Sequence, residues 1–352
     1  MEHAAITGVC EDITAIAVPS EQAIPLVESQ FMRHWHRDRF AVRRQSHHWT
    51  VAQRLLSADM ADTHADGLRY VDLVAGYYVG APTDAFRVIA DFSIWFFIWD
   101  DQHGRYALQR RDQQWCRLRD ALHRALDKPL LHVKDADPLV AGFADCMQRF
   151  YKPLDERWNG DFATHFNAVI KVYDQEYRER TTRHIPSVED YVALRCHTFG
   201  YWVWLDCLEL AAELALPSDV IAWREYRDAG LASQEFSGWY NDLCSLPKEL
   251  ASGELHNLGI SLIHHHGLSL SEATEELRRR VTARVQDFLE AEQALQRRLE
   301  QVNLAPETEN AVRHCLFNMR NWISSVYWFH HESGRYRVDD WEDRARPPYI
   351  GE

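Results

Sequence analysis

The spacing of apolar residues is the feature that most restricts what this chain can fold into. From about residue 20 onward, apolar residues recur every three or four positions, and few stretches alternate with a period of two. The first spacing places apolar side chains on one face of an α-helix, whereas a strand would require the second. The sequence therefore predicts an all-α fold. Residues 272–300 form the clearest helix, because their charged residues also stand at ion-pair spacing.

Breaks in the helical pattern fall at glycine and proline residues, for example at Gly253 and Gly267. No internal repeat, low-complexity linker or shift in composition divides the chain. One helical domain is therefore predicted over residues 21–336. We expect a loose N-terminal arm over residues 1–20 and a polar C-terminal tail over residues 337–352 that could act as a lid.

The charge of the chain limits the partners it can bind. The formal net charge of −14 argues against binding nucleic acid or coating an anionic membrane. A phosphate-bearing substrate would need metal ions, or a few well-placed Arg and Lys residues, to neutralise it. The seven cysteines are scattered and include no C-x-x-C pair, which is typical of reduced thiols. Without a visible signal peptide or membrane-spanning run, the protein is predicted to be cytoplasmic and not inserted in a membrane.

The first motif is the acidic pair Asp100-Asp101, which closes a strongly apolar helical segment. On a helix, Asp100 shares a face with Ser93, Phe96 and Phe97, so a carboxylate stands above aromatic rings. Such hard oxygen ligands suit magnesium that is bound jointly with substrate phosphates. An acidic pair by itself is more often a solvated helix end, so the motif needs support from elsewhere in the chain.

The second motif places three oxygen-bearing side chains on one helical stripe. Asn241, Ser245 and Glu249 are each four residues apart, so an amide, a hydroxyl and a carboxylate lie on successive turns. Together they can hold one magnesium ion that keeps positions for water and phosphate. Lys248 can meet a phosphate as a point charge. Pro247 lies inside the stripe and disfavours helix, so a kink must be tolerated.

Two further sites complete the pattern. Arg195 precedes Asn241 by 46 residues, and an Arg335-Tyr336 pair follows near the C-terminus. The arginine fork matches phosphate oxygens in geometry, and tyrosine adds a neutral donor. Taken alone, each is more often part of a surface or interhelix pair.

In this order and spacing, the four motifs resemble those of bacterial class I terpene synthases. The resemblance runs from about Ala15 to Tyr349, and four motifs in register leave little room for coincidence. It implies a single-domain helical bundle around a central active-site cavity. It also implies a magnesium-dependent sesquiterpene cyclase, which ionises farnesyl diphosphate and cyclises the carbocation to a polycyclic hydrocarbon. We expect a monomer or a homodimer.

The resemblance also implies roles for individual residues. Three magnesium ions are expected, with Mn²⁺ as a substitute. The implied metal ligands are Asp100, which would bridge two ions, and Asn241, Ser245 and Glu249, which would hold the third. The implied diphosphate donors are Arg195, Lys248, Arg335 and Tyr336. Thr198 and Phe199 match positions that move when diphosphate binds. The implied pocket-lining rings are Phe96, Phe97, Phe199, Trp204, Trp322 and Phe329.

The chain departs from the family pattern at one position. The family has D-D-x-x-D, whereas this chain has Gly104 in place of the last acid. In the family that acid usually helps the site to close through hydrogen bonds rather than by binding metal. We therefore expect the substitution to affect closure more than metal binding.

Several alternatives stay open at this point. The substrate could be geranyl or geranylgeranyl diphosphate, because chain length depends on cavity volume. A chain-elongating prenyl diphosphate synthase is less favoured, since such enzymes carry two aspartate-rich motifs. A non-enzymatic helical protein that binds a hydrophobic ligand would explain the aromatic content alone. A zinc site at His264–His266 is disfavoured because no H-E-x-x-H motif is present, and His330 is expected to be a core histidine.

Overall fold

The structure is a computed structural model that describes residues 18–61, 69–151 and 154–333. Most of the predicted arm and all of the predicted tail lie outside these residues, so both stay predictions. The described chain is built from α-helices, which confirms the all-α fold. In chain order they are α1 (Pro25–Gln30), α2 (Arg39–Ala52), α3 (Ala58–Met60), α4 (Tyr70–Tyr77), α5 (Thr83–Leu108), α6 (Asp112–Asp127), α7 (Pro138–Phe150), α8 (Glu156–Thr182), α9 (Val188–Thr198), α10 (Tyr201–Ala211), α11 (Ser218–Ile221), α12 (Arg224–Ser252), α13 (Leu258–His266), α14 (Leu270–Gln301) and α15 (Pro306–Glu332).

Local sequence signals set the ends of several helices. α9 begins after Ser187, whose hydroxyl accepts a hydrogen bond from the backbone N–H of Asp190 at 3.1 Å. Such a bond satisfies one of the N–H groups that a helix start leaves without a partner. Gly253 and Gly267 end α12 and α13 with φ of +72° and +68°. These left-handed conformations favour glycine, so the breaks predicted at both residues are confirmed.

The helix that carries the acidic pair is longer than predicted. α5 continues to Leu108, so Asp100 and Asp101 lie about two turns before its end rather than at the end. The continuation has a physical reason, because His103 and Ala107 remain buried and extend the inward face of the helix. The side chain of Asp100 therefore extends from within the helix rather than from its end.

α12 carries the second motif through the middle of the fold. It packs along α14 and α15, and it continues past Pro247 to Ser252, so the proline is accommodated inside the helix. The turns on either side of Pro247 remain part of one element. Asn241 and Glu249 can therefore project toward the same space.

Most of the aromatic residues are packed in the core. Trp95 on α5 lies 5.3 Å from Trp99 and 4.8 Å from Phe143, measured between ring centroids, and these rings are buried. Such offset and tilted contacts add to the stability gained by burying the rings. The core thus holds α5 rigidly behind the side chains that face the cavity described below. Among the described helices, none is both long and apolar enough to cross a lipid bilayer.

Candidate active site

A cavity of about 310 Å³ lies between α5, α8, α9 and α12. Asp100 lines it from α5, while Asn241, Lys248 and Glu249 line it from α12. The two motifs, far apart in the chain, therefore face one space. The predicted pocket residues that also line this cavity are Phe96, Phe97, Arg195, Thr198, Phe199 and Trp204.

The aromatic wall stands directly beside the acidic one. Phe96 lies edge-on to Trp99 at 5.5 Å and packs against Trp204 at 5.7 Å between ring centroids. Phe97 stacks on Tyr70 at 4.1 Å. These contacts fix the rings, so their faces and edges form a shaped apolar surface below the carboxylate of Asp100.

Asp100 is held by a tyrosine that the sequence did not single out. The hydroxyl of Tyr173 on α8 lies 3.0 Å from Asp100 Oδ1 and 3.3 Å from the carbonyl oxygen of Thr198. Burial raises the pKa of Tyr173 well above its usual range, so the hydroxyl stays protonated and acts as a hydrogen-bond donor. The bond orients the carboxylate toward the cavity.

The amide of Asn241 is oriented from both sides. Its Oδ1 accepts a hydrogen bond from Arg195 Nη2 at 2.9 Å, and its Nδ2 lies 3.1 Å from His330 Nε2. His330 Nδ1 lies 2.7 Å from the carbonyl oxygen of Val326, so Nδ1 carries the proton and Nε2 accepts. The predicted core histidine therefore turns the oxygen of Asn241 toward Arg195.

Arg195 forms an ion pair with the buried carboxylate of Asp242, which follows Asn241 in the second motif. Its Nη2 lies 2.8 Å from Asp242 Oδ1, and Tyr191 donates to Asp242 Oδ2 at 2.9 Å. Burial raises the pKa of Asp242, while the guanidinium of Arg195 opposes that rise. The pair keeps a cation within reach of the cavity without leaving a charge buried alone.

Ser245 and Glu249 share one partner on the loop that follows α12. Asn257 Nδ2 lies 2.8 Å from Glu249 Oε2 and 3.3 Å from Ser245 Oγ. Ser245 is buried beneath the cavity surface, whereas Glu249 lines the cavity. Burial raises the pKa of Glu249 to about 7, and the nearby carboxylates of Glu254 and Asp242 add to the rise. A carboxylate in this state would be stabilised by a cation.

The rim near Gly104 is occupied by an arginine. A Cβ atom at Gly104 would lie 3.1 Å from Arg180 Nη1. Arg180 forms ion pairs with Glu176 at 2.5 Å and with Glu254 at 2.8 Å. The second pair ties α8 to the loop after α12. At this edge of the cavity, Arg180 therefore links α8 to the loop after α12, beside the position where the family has an acid.

Two of the predicted pocket rings, Trp322 and Phe329, pack against rings that line the cavity, and their roles stay predictions. Trp322 is fully buried, and its ring lies 5.7 Å from the cavity-lining ring of Tyr77. Phe329 is buried and lies 6.4 Å from Phe97. Both rings are carried by α15, which packs against α4. Arg335 and Tyr336 lie outside the described residues, so their roles stay predictions.

The oxygen donors fit a divalent cation that also binds substrate. Within the described ranges, no three His, Cys, Asp or Glu side chains are grouped to hold a metal. The donors are instead the carboxylates of Asp100 and Glu249 and the amide of Asn241, spread over two facing walls. This set suits magnesium, which keeps several positions for water and phosphate.

A protein-family model matches more than half of the chain. Residues 91–287 match the family described as terpene synthase family 2, C-terminal metal binding. The match includes Asp100, Arg195, Asn241 and Glu249.

Characterised relatives and solved structures agree with that match. The chain is 49% identical to epi-isozizaene synthase of Streptomyces coelicolor, covering 99% of this chain and 98% of that protein. It is 30% identical to pentalenene synthase of Streptomyces avermitilis, covering 83% and 86%. The crystal structure of germacradien-4-ol synthase from Streptomyces citricolor has a similar fold, with a TM-score of 0.76 at 18% identity, covering 89% of this chain and 99% of that one.

Proposed function

Because the chain belongs to the terpene synthase family, we propose that its cavity ionises farnesyl diphosphate and cyclises the product to epi-isozizaene or a related polycyclic sesquiterpene. It is a metal-dependent class I terpene synthase. One observation supports the proposal most: Asp100 on α5 and both Asn241 and Glu249 on α12 face one cavity walled by aromatic rings.

We assign Asp100, Asn241, Ser245 and Glu249 as metal ligands, with three magnesium ions as the expected number. When bound, these ions neutralise the charge that develops on the diphosphate as its C–O bond breaks and the electron pair leaves with oxygen. Arg195 and Lys248 are assigned as further donors to the diphosphate, together with Arg335 and Tyr336.

Arg195 lies between the proposed anion site and a proposed metal ligand. Its Nη2 is engaged with Asp242 and with the oxygen of Asn241 that we assign to metal binding. The oxygen of Asn241 has two lone pairs, so it can accept from Arg195 and also bind a metal ion. One guanidinium would thus contact both the diphosphate and a proposed metal ligand.

The aromatic wall controls the carbocation. Phe96, Phe97, Phe199 and Trp204 line the cavity and offer no nucleophile that could trap a cation. Each ring face can stabilise a positive charge by about 0.5–2 kcal/mol. With substrate bound, the aromatic part of the cavity would exclude water and fold the isoprenoid chain before ionisation. The carbocation closes its rings and then loses a proton to the released diphosphate or to a trapped water. The product is a neutral hydrocarbon.

Product analysis tests this proposal directly. The purified protein is incubated with Mg²⁺ and geranyl, farnesyl or geranylgeranyl diphosphate, and the products are separated by gas chromatography. We expect a cyclic fifteen-carbon hydrocarbon from farnesyl diphosphate and none when EDTA is in excess. Activity that persists in excess chelator would contradict the metal mechanism. Incorporation of labelled isopentenyl diphosphate would indicate chain elongation instead.

A further inference from the structure

Asn257 is fully buried between the loop that follows α12 and the start of α13. Its Oδ1 accepts a hydrogen bond from the backbone N–H of Gly259 at 2.7 Å and so caps α13. Since the oxygen of the amide is committed to this cap, the nitrogen must point to the opposite side. The orientation of the side chain is therefore set by the backbone of α13.

The nitrogen of that amide reaches three groups on α12. Asn257 Nδ2 lies 2.8 Å from Glu249 Oε2, 3.3 Å from Ser245 Oγ and 2.9 Å from the carbonyl oxygen of Asp242. Two of these groups are the side chains assigned above as metal ligands. One amide thus contacts both ligands while lying outside the cavity lining.

Pro247 explains why such a contact is needed. It stands between Ser245 and Glu249, has no N–H to donate to the preceding turn, and disfavours helical geometry at the residue before it. The helix alone therefore gives weaker control over the relative position of the two ligands. Asn257 bridges the turns on both sides of the proline.

The loop that carries Asn257 is anchored at two further points. Glu254 pairs with Arg180 on α8 at 2.8 Å. Gly259 lies so close to α12 that a Cβ atom there would approach Leu246 Cδ2 to 2.6 Å. These contacts hold α13 and the loop against α12, so the amide of Asn257 has a fixed base.

We propose that Asn257 is a positioning residue that holds Ser245 and Glu249 in register for metal binding. This inference rests on the proposed function, because it needs those two side chains to bind metal. Loss of a group that orients metal ligands typically weakens metal binding by about 10- to 100-fold. We expect that loss for a variant that keeps the helix cap and removes only the donor.

Asn257→Ser is that variant, since serine also caps helices but does not carry the amide nitrogen. The matched control is Asn318→Ser. Asn318 is equally buried, and its Nδ2 contacts His314 on the same helix. No hydrogen bond among the described residues joins Asn318 to Ser245 or Glu249. Both changes remove a buried amide of the same size.

Binding of Mn²⁺ in the presence of inorganic diphosphate is measured by the loss of the free-ion EPR signal. We expect affinity to fall by about 10- to 100-fold in Asn257→Ser and to stay within about twofold in Asn318→Ser. The Mg²⁺ concentration for half-maximal turnover should rise in parallel, while the rate at saturating Mg²⁺ changes much less. Denaturant unfolding of the metal-free proteins should show similar losses for the two variants.

Unchanged Mn²⁺ affinity in a folded Asn257→Ser protein would overturn the positioning role, as would an equal loss in the control. Should the serine variant not fold, Asn257→Thr keeps a capping hydroxyl, fills more of the space and carries the same expectation. If the unaltered protein binds no Mn²⁺ with diphosphate, the proposed function itself fails. The first measurement therefore separates the two failures.

Discussion

Replacing Tyr173 with phenylalanine would test how much the orientation of Asp100 contributes to metal binding. The change deletes one hydroxyl and keeps the ring, which stacks on Trp99 at 4.2 Å between centroids. The deleted hydroxyl lies 3.0 Å from Asp100 Oδ1. Packing should therefore be preserved while the carboxylate loses its buried donor.

The expected magnitude follows from the surroundings of the bond. A hydrogen bond to a charged group contributes about 1.5–3 kcal/mol to stability. Asp100 is only half-buried, so water can replace part of this bond, and we expect a stability loss of about 1 kcal/mol. Ordering a freed side chain on binding costs roughly 0.5–1.5 kcal/mol. The Mg²⁺ concentration for half-maximal activity should accordingly rise by about 2- to 10-fold.

The assay measures diphosphate release from farnesyl diphosphate as a function of Mg²⁺, with denaturant unfolding measured in parallel. Tyr177→Phe is the matched control, because Tyr177 lies one turn later on α8 and donates to Asp112 at 2.7 Å, away from the cavity lining. Its Mg²⁺ dependence should equal that of the unaltered protein. An unchanged Mg²⁺ requirement in folded Tyr173→Phe, or an equal shift in the control, would refute the reasoning.

Two further predictions concern stability. Asp242→Asn removes the buried charged partner of Arg195 and should lower the free energy of unfolding, measured by urea titration, by about 3–5 kcal/mol. The control Asp228→Asn alters an exposed pair with Arg224 and should lower it by at most about 1 kcal/mol. Equal losses in the two variants would contradict a stabilising role for the buried pair. Burial lowers the pKa of His103 to about 4. Between pH 6.5 and 4, the histidine is therefore protonated in the unfolded chain but neutral in the folded chain. Stability should fall by about 3 kcal/mol between pH 6.5 and 4 through this group, and urea titrations of His103→Gln should show a smaller slope with pH.

The sequence by itself determined the helices and the stripes on them. Helical geometry repeats every 3.6 residues, so spacing alone places Asp100 above Phe96 and aligns Asn241 with Glu249. These relations lie within one element and follow from the backbone. The resemblance to a known family supplied the expectation that the two stripes share one site.

The tertiary structure decided which groups support those stripes. Tyr173 meets Asp100 across 73 positions of sequence, and Arg180 takes the space beside Gly104. Asn257 contacts Ser245 and Glu249 only because α13 packs closely against α12. Such contacts depend on how helices pack against one another. The periodicity of a single helix shows which of its residues share a face, but it does not show which side chains of other helices will contact that face.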